Sequence, residues 1–171
     1  MPVRQILYAD APVLRQKARR VKKYNAALRE LVADMLETMH AANGVGLAAP
    51  QVGVSLRVCV IEIPGDEEAG TPPRQYVLCN PKIVKATGEE TEEEGCLSLP
   101  GYVGEVKRAA VVTVKGFDAD GKAVRVRGEG LLARALQHEL DHLDGILFVD
   151  RLESLDKLRR VDQATEEAPV G

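Results

Sequence analysis

Two of the chain's three histidines, His138 and His142, stand four residues apart in a segment whose apolar residues recur at helical spacing. Residues four apart share one face of an α-helix, so both imidazoles project the same way. Leu131, Leu132, Ala135 and Leu136 lead into them as an apolar stripe, which a helix in water has to cover. The segment 130–143 therefore reads as a docked helix that carries its histidines inward, and the rest of the chain has to supply what it docks on.

That remainder is short and mostly extended. At 171 residues the chain has the length of one domain with a core of its own. Leu28, Leu31, Val32, Met35, Leu36 and Met39 follow the i, i+3, i+4, i+7 rule and predict a helix over 25–42, with Asn25 as N-cap and Gly44 as its stop. Beyond Gln51 the periodicity changes. Leu56 to Ile63 is a Val- and Ile-rich run bounded by Gly53 and Pro64, hence a buried strand. Tyr76 to Val84 predicts another, interrupted near Asn80-Pro81, after an exposed loop from Gly65 to Arg74. Arg108–Phe117 and Lys122–Arg127 form a hairpin across Asp118-Ala119-Asp120-Gly121, with Val124 and Val126 on one face of the second arm and Arg125 and Arg127 on the other. The order of elements gives an α+β fold: an N-terminal helix, then antiparallel sheets packed around the central helix of the two histidines. Residues 1–150 read as a single catalytic domain, and 151–171 as a short tail, helical at first and then frayed.

Charge and cysteines narrow the setting. The net charge of −3 removes any global electrostatic case for binding nucleic acid, although seven Arg or Lys and only one acid, Asp10, lie between Arg4 and Lys23. That start lacks the Ser-rich character of a transit peptide, and no apolar run reaches the ~18 residues that span a bilayer. Three widely spaced cysteines make no disulfide framework and suit a reducing, cytoplasmic compartment.

His138-Glu139-Leu140-Asp141-His142 is the HExxH arrangement of metal hydrolases: two imidazoles converge on one ion, and the intervening carboxylate reaches a water bound to it. A catalytic site of this kind takes a third protein ligand. Phe148 occupies the position where one protease family has a histidine, which excludes that family. Glu153 or Asp162 would serve in a thermolysin-like peptidase, yet neither sits in a recognisable supporting helix. Cys96 is the better candidate, because a thiolate binds Zn and Fe well and polar residues and Gly95 surround it. Cys59 and Cys79 lie in apolar runs and read as small core residues. A third segment, Gly44-Val45-Gly46-Leu47-Ala48-Ala49-Pro50-Gln51, fails as a phosphate loop, since no Lys-Ser/Thr pair follows it. Its glycines let backbone approach a substrate, and the Gln51 amide offers a donor to an oxyanion.

Together these segments resemble peptide deformylase of the bacterial type, whose motifs GxGxAAPQ, EGCLS and HExxH with a preceding Gln all occur here intact and in order. The resemblance runs from the first residues to Gly145 and Phe148. It implies a hydrolase that removes the formyl group from the N-terminal methionine of new polypeptides, with metal-bound water as nucleophile and Glu139 as general base. By the same resemblance Cys96, His138 and His142 hold the metal, and Gln51 with the backbone N–H of Leu97 stabilises the oxyanion. Gly46 and Gly95 would bond the substrate backbone, while Val45, Leu131, Ala135 and the stem of Glu94 would line the methionine pocket, flanked by Gly101-Tyr102. The implied metal is Fe(II), which Zn, Ni or Co can replace. Formyl-methionyl nascent peptides are the implied partners, with no membrane and no sequence-specific nucleic acid among them.

What remains has plainer readings. His40 ends the first helix, where a cation is welcome. Glu89, Glu90, Glu92 and Glu93 read as a solvated edge, with Glu94 beside the site. Leu152, Leu155 and Leu158 with Lys157, Arg159 and Arg160 predict a short basic amphipathic helix, a candidate for transient ribosome contact. Against a binding module with a purely structural metal stand the intact Glu139 and a ligand count of three where closed sites use four.

Overall fold

Val58, Cys59, Val60 and Ile61 run on without a polar break, and successive strand side chains point to opposite faces, so both faces of this strand need cover. The computed structural model, which describes residues 2–161, supplies a helix on each side. A five-stranded antiparallel sheet has the order β1 (Gly46–Ala48), β2 (Val58–Ile63), β3 (Arg74–Thr87), β6 (Val111–Phe117), β7 (Ala123–Glu129). Val58 and Val60 pack with Leu28, Leu31, Met35 and Met39 of α1 (Ala26–Ala41). Cys59 and Ile61 pack on the other face with Ala133, Ala135, Leu136 and Leu140 of α2 (Gly130–Leu143). The second helix thus has its predicted bounds and is enclosed as its stripe required.

A smaller sheet closes the far side of α2 in the order β4 (Glu90–Cys96), β5 (Leu99–Arg108), β8 (Arg159–Arg160). Beneath it Cys96 and Val106 meet Phe148 and Leu152, with Leu99, Val149 and Leu158 at the margin. The architecture is α+β, as the order of elements implied.

Local chemistry explains most boundaries. The Asn25 side chain accepts from the Leu28 N–H at 3.1 Å and starts α1. The stop comes one residue earlier than predicted: Asn43, not Gly44, takes the left-handed conformation at φ 56°, which an Asn tolerates better than most residues. At Gly44 a Cβ would lie 2.7 Å from Leu97 Cδ1, so a larger residue there would push the Leu97 side chain aside. The Asp118 carboxylate caps the hairpin turn by accepting from Asp120 and Lys122 N–H groups at 2.9 and 3.0 Å. In β3 the break expected at Asn80-Pro81 is a bulge within one long strand. Asn80, at φ 51°, turns its side chain to pair with both the N–H and C=O of Val21.

Two expectations change. The glutamate run from Glu90 to Glu93 is exposed, as read, but it forms the outer strand of the small sheet. Over the described residues after Phe148 there is no basic helix: two 3₁₀ turns, Phe148–Arg151 and Leu155–Lys157, lead into β8, where Arg159 and Arg160 pair with Val103 and Tyr102. An edge offered by β5 wins over a helical spacing only three leucines long. The polar stretch from Asp162, expected to fray, lies outside the described residues.

Candidate active site

Two elements converge at the middle of α2, the helix itself and β4. Its inward row carries Arg134, His138 and His142, one turn apart, while the C-terminal residue of β4 presents Cys96 from the small sheet. The Cys96 Sγ lies 3.5 Å from His142 Nε2, which lies 3.2 Å from His138 Nε2. These ligand-type atoms all fall within 4.8 Å of one another and are buried, the one such group among the described residues. Glu153, the alternative third ligand, is exposed and not part of it; Asp162 lies outside the described residues.

The chemistry of this group fits a thiophilic, imidazole-binding cation. Glu139 strengthens the fit: it is 0 % exposed, and neither carboxylate oxygen has a hydrogen-bond partner among the described residues. A buried carboxylate in that condition is costly, and burial pushes its pKa up to about 8. At His138 burial works to lower the pKa, but the hydrogen bonds of Cys96 and Glu94 and the charges of Glu139 and Glu94 raise it well above 6.5. The surroundings that favour a proton on this imidazole equally favour a metal cation.

The site is braced by a buried ionic network that the sequence did not announce. Glu94 accepts from Arg108 through both oxygens at 2.8 Å, from Arg134, and from His138 Nδ1 at 2.9 Å. Burial opposes ionisation of Glu94, yet the Arg108 and His138 contacts hold its carboxyl well below the usual range. Arg108 also donates to Asp141 at 2.7 Å, and Asp141 in turn accepts from Arg151 at 2.8 and 3.1 Å. Glu94 is 1 % exposed, and its carboxylate pairs with the imidazole of His138. The one local hint was an arginine, Arg134, set within an apolar stripe four residues before His138. Gln137 tethers α2 to the β5–β6 connection, donating to the Ala109 carbonyl and accepting from its N–H at 2.9 and 3.0 Å.

Gln51 is wholly buried beside Cys96. Its Oε1 accepts from the Ala48 N–H at 2.9 Å, which aims Nε2 at Ser98 Oγ, 3.0 Å away, and at Cys96 Sγ, 3.8 Å away. Leu97 packs its side chain over Gly44. Gly46 and Gly95 lie in β1 and β4, the end strands of their sheets, so among the described residues no further strand pairs with their outer edges. Val45 and Ala135 share the cluster on α2, and Leu131 is 42 % exposed at its start. Phe148 stacks on His138 with ring centroids 6.3 Å apart. His40, away from this group, pairs with Glu62 at 3.1 Å and is half exposed.

Comparison with known proteins agrees with this arrangement. Residues 3–158 match the family model described as polypeptide deformylase. The chain is 52% identical over 175 residues to a peptide deformylase of Thermomicrobium roseum, covering 100% of this chain and 99% of that one. Among solved structures, a peptide deformylase from Legionella pneumophila superposes with a TM-score of 0.84 at 50% identity, covering 91% of this chain and 89% of that one. One from Ehrlichia chaffeensis in complex with actinonin gives a TM-score of 0.85 at 39% identity, with 92% of each chain covered. A match of this length and identity, carried on a fold that brings Cys96, His138 and His142 together, means that the chain belongs to the polypeptide deformylase family and is an enzyme of that family.

Proposed function

We propose that the chain removes the N-formyl group from the terminal methionine of newly made polypeptides with a metal held by Cys96, His138 and His142. Glu139 acts as general base and then general acid. The observation that carries this reading is the unpartnered, fully buried Glu139 carboxylate beside the three ligand-type side chains. Fe(II) is the proposed metal, with Zn, Ni or Co able to replace it, since all accept imidazole and thiolate donors. The metal, when bound, supplies Lewis acidity that polarises the formyl carbonyl and makes hydroxide available near neutral pH.

The protein's own groups do the rest. Glu139 takes the proton of the attacking water and passes it to the departing amine, so formate and a free N-terminus are released together. Charge building on the formyl oxygen is met by the Gln51 amide and the Leu97 N–H; losing one such donor costs about 10²–10³ in rate. The outermost position of β1 and β4 in their sheets suits an extended peptide, bonded by backbone at Gly46 and Gly95. Val45, Leu131 and Ala135 offer apolar surface for methionine. The stem of Glu94, expected there from the sequence, joins them, while its carboxylate braces His138.

No helix among the described residues is long and apolar enough to cross a membrane. The proposed substrate places the reaction in the cytoplasm, where new chains emerge. Lys157 and Arg160 are exposed basic residues that suit a transient ribosome contact, whereas Arg159 is paired with Glu93. Reversing both charges should weaken co-sedimentation with ribosomes; unchanged binding removes that contact from the proposal. Residues 1–150 carry every proposed catalytic group, and 151–161 serve as their support.

Formate release from formyl-Met-Ala-Ser tests the central claim, using anaerobically prepared protein beside Glu139→Ala. Wild-type turnover with almost none in the variant is the expected result. No formate from protein holding one equivalent of Fe or Ni would overturn it.

A further inference from the structure

The proposed centre spans two elements that are remote in sequence: Cys96 comes from β4 and both histidines from α2. Something has to hold that strand on that helix to within tenths of an ångström. Arg134 is placed to do so. It stands one helical turn before His138 on the ligand row, and only 5 % of it is exposed. One nitrogen donates to the Glu94 carboxylate and, at 3.0 Å, to the Val106 carbonyl of β5; the other donates to the Glu90 carbonyl of β4 at 3.1 Å. A single guanidinium therefore ties α2 to both long strands of the small sheet, and to the carboxylate that orients His138.

Neutralising Glu94 does not require it. Arg108 already pairs with both Glu94 oxygens and reaches Asp141 with its remaining nitrogen. Arg151 keeps 46% of its side chain in solvent, whereas the Arg134 side chain is 6% exposed and spends its donors on the small sheet. Desolvating a guanidinium is unfavourable unless good geometry and further hydrogen bonds offset it, and here the bonds all run to the elements that carry the centre.

We propose that Arg134 is a positioning residue of the metal centre, clamping the Cys96 strand onto the His138–His142 helix and so setting how long the metal is retained. The proposal rests on the metal reading above. Outer contacts of this kind typically govern metal affinity by roughly 10–100-fold.

The test uses full-length protein loaded with Co(II) or Ni(II), as wild type, Arg134→Met and Arg134→Lys. Metal release into excess EDTA is timed, and the thiolate-to-Co(II) absorption band is recorded before the challenge. Release should quicken by roughly 10–100-fold in Arg134→Met, with a displaced Co(II) band. Arg134→Lys, which keeps the charge but cannot reach all three acceptors, should fall between; it decides the matter where the Met variant does not fold. A mere structural staple would lower the melting temperature of metal-free protein while leaving the release rate and Co(II) band of the folded holoprotein as in wild type. That result overturns the proposal. Wild-type protein that takes up no Co(II) or Ni(II) would instead overturn the metal reading on which it rests.

Discussion

Replacing Phe148 by Ala should be among the most damaging single changes outside the ligand set. The ring is 1 % exposed, fills the layer between Cys96, Val106 and Leu152, and stacks on His138. A phenylalanine buries on the order of 150 Å² or more, and at about 25 cal/mol per Å² this is about 4 kcal/mol of transfer free energy. The retained methyl reduces that figure, and the cavity left behind adds to it. Collapse of the site is resisted by the 3₁₀ turn itself, since the Asp150 carboxylate accepts from the Leu147 N–H at 2.9 Å and also pairs with Arg15. The expected loss is therefore about 3–5 kcal/mol, which for a chain of this size is a fall of roughly 6–20 °C in melting temperature. Urea unfolding of metal-free protein is the right assay, because a bound metal would add its own stabilisation by mass action. A loss below about 1 kcal/mol with an unchanged m-value would refute the reasoning, since it would mean that the layer repacks without the ring.

Other consequences follow from single observations. Asn25→Ala removes the side-chain cap of α1 and should cost about 1 kcal/mol in the same urea assay. Gly145 sits at φ 77°, and a Cβ there would lie 2.7 Å from backbone atoms of Arg15, so Gly145→Ala should cost more than the ~1 kcal/mol of an unhindered left-handed site. Burial pushes the Cys59 thiol well up and the Cys79 thiol to about 11, so both stay protonated at pH 8. Native protein treated with iodoacetamide at that pH should keep both unmodified, by peptide mass mapping, and carboxymethylation of either before unfolding would contradict their burial.

What could be read from the chain alone was local. The bounds of α2, the Asn25 cap and the Asp118 turn depend on neighbours three or four residues away, and their spacing is visible directly. The burial of β2 on both faces was legible as an unbroken apolar run. The motif histidines and Cys96 were legible because their chemistry is rare in this composition.

The bracing of the site was not legible, for a physical reason. Arg134 meets Glu94 across 40 residues and Arg108 meets Asp141 across 33, so no periodicity links the partners. Charged residues read in isolation look solvated, and only the meeting of β4, β5 and α2 makes Glu94 and Arg134 buried partners. The same holds at the end of the chain, where Arg159 and Arg160 become strand because the edge of β5 is there to receive them. Sequence by itself determined which groups are candidates for the chemistry and the helix that carries two of them. Tertiary structure decided what holds those groups in place, because buried charge is stable only beside partners that the chain reaches after it folds.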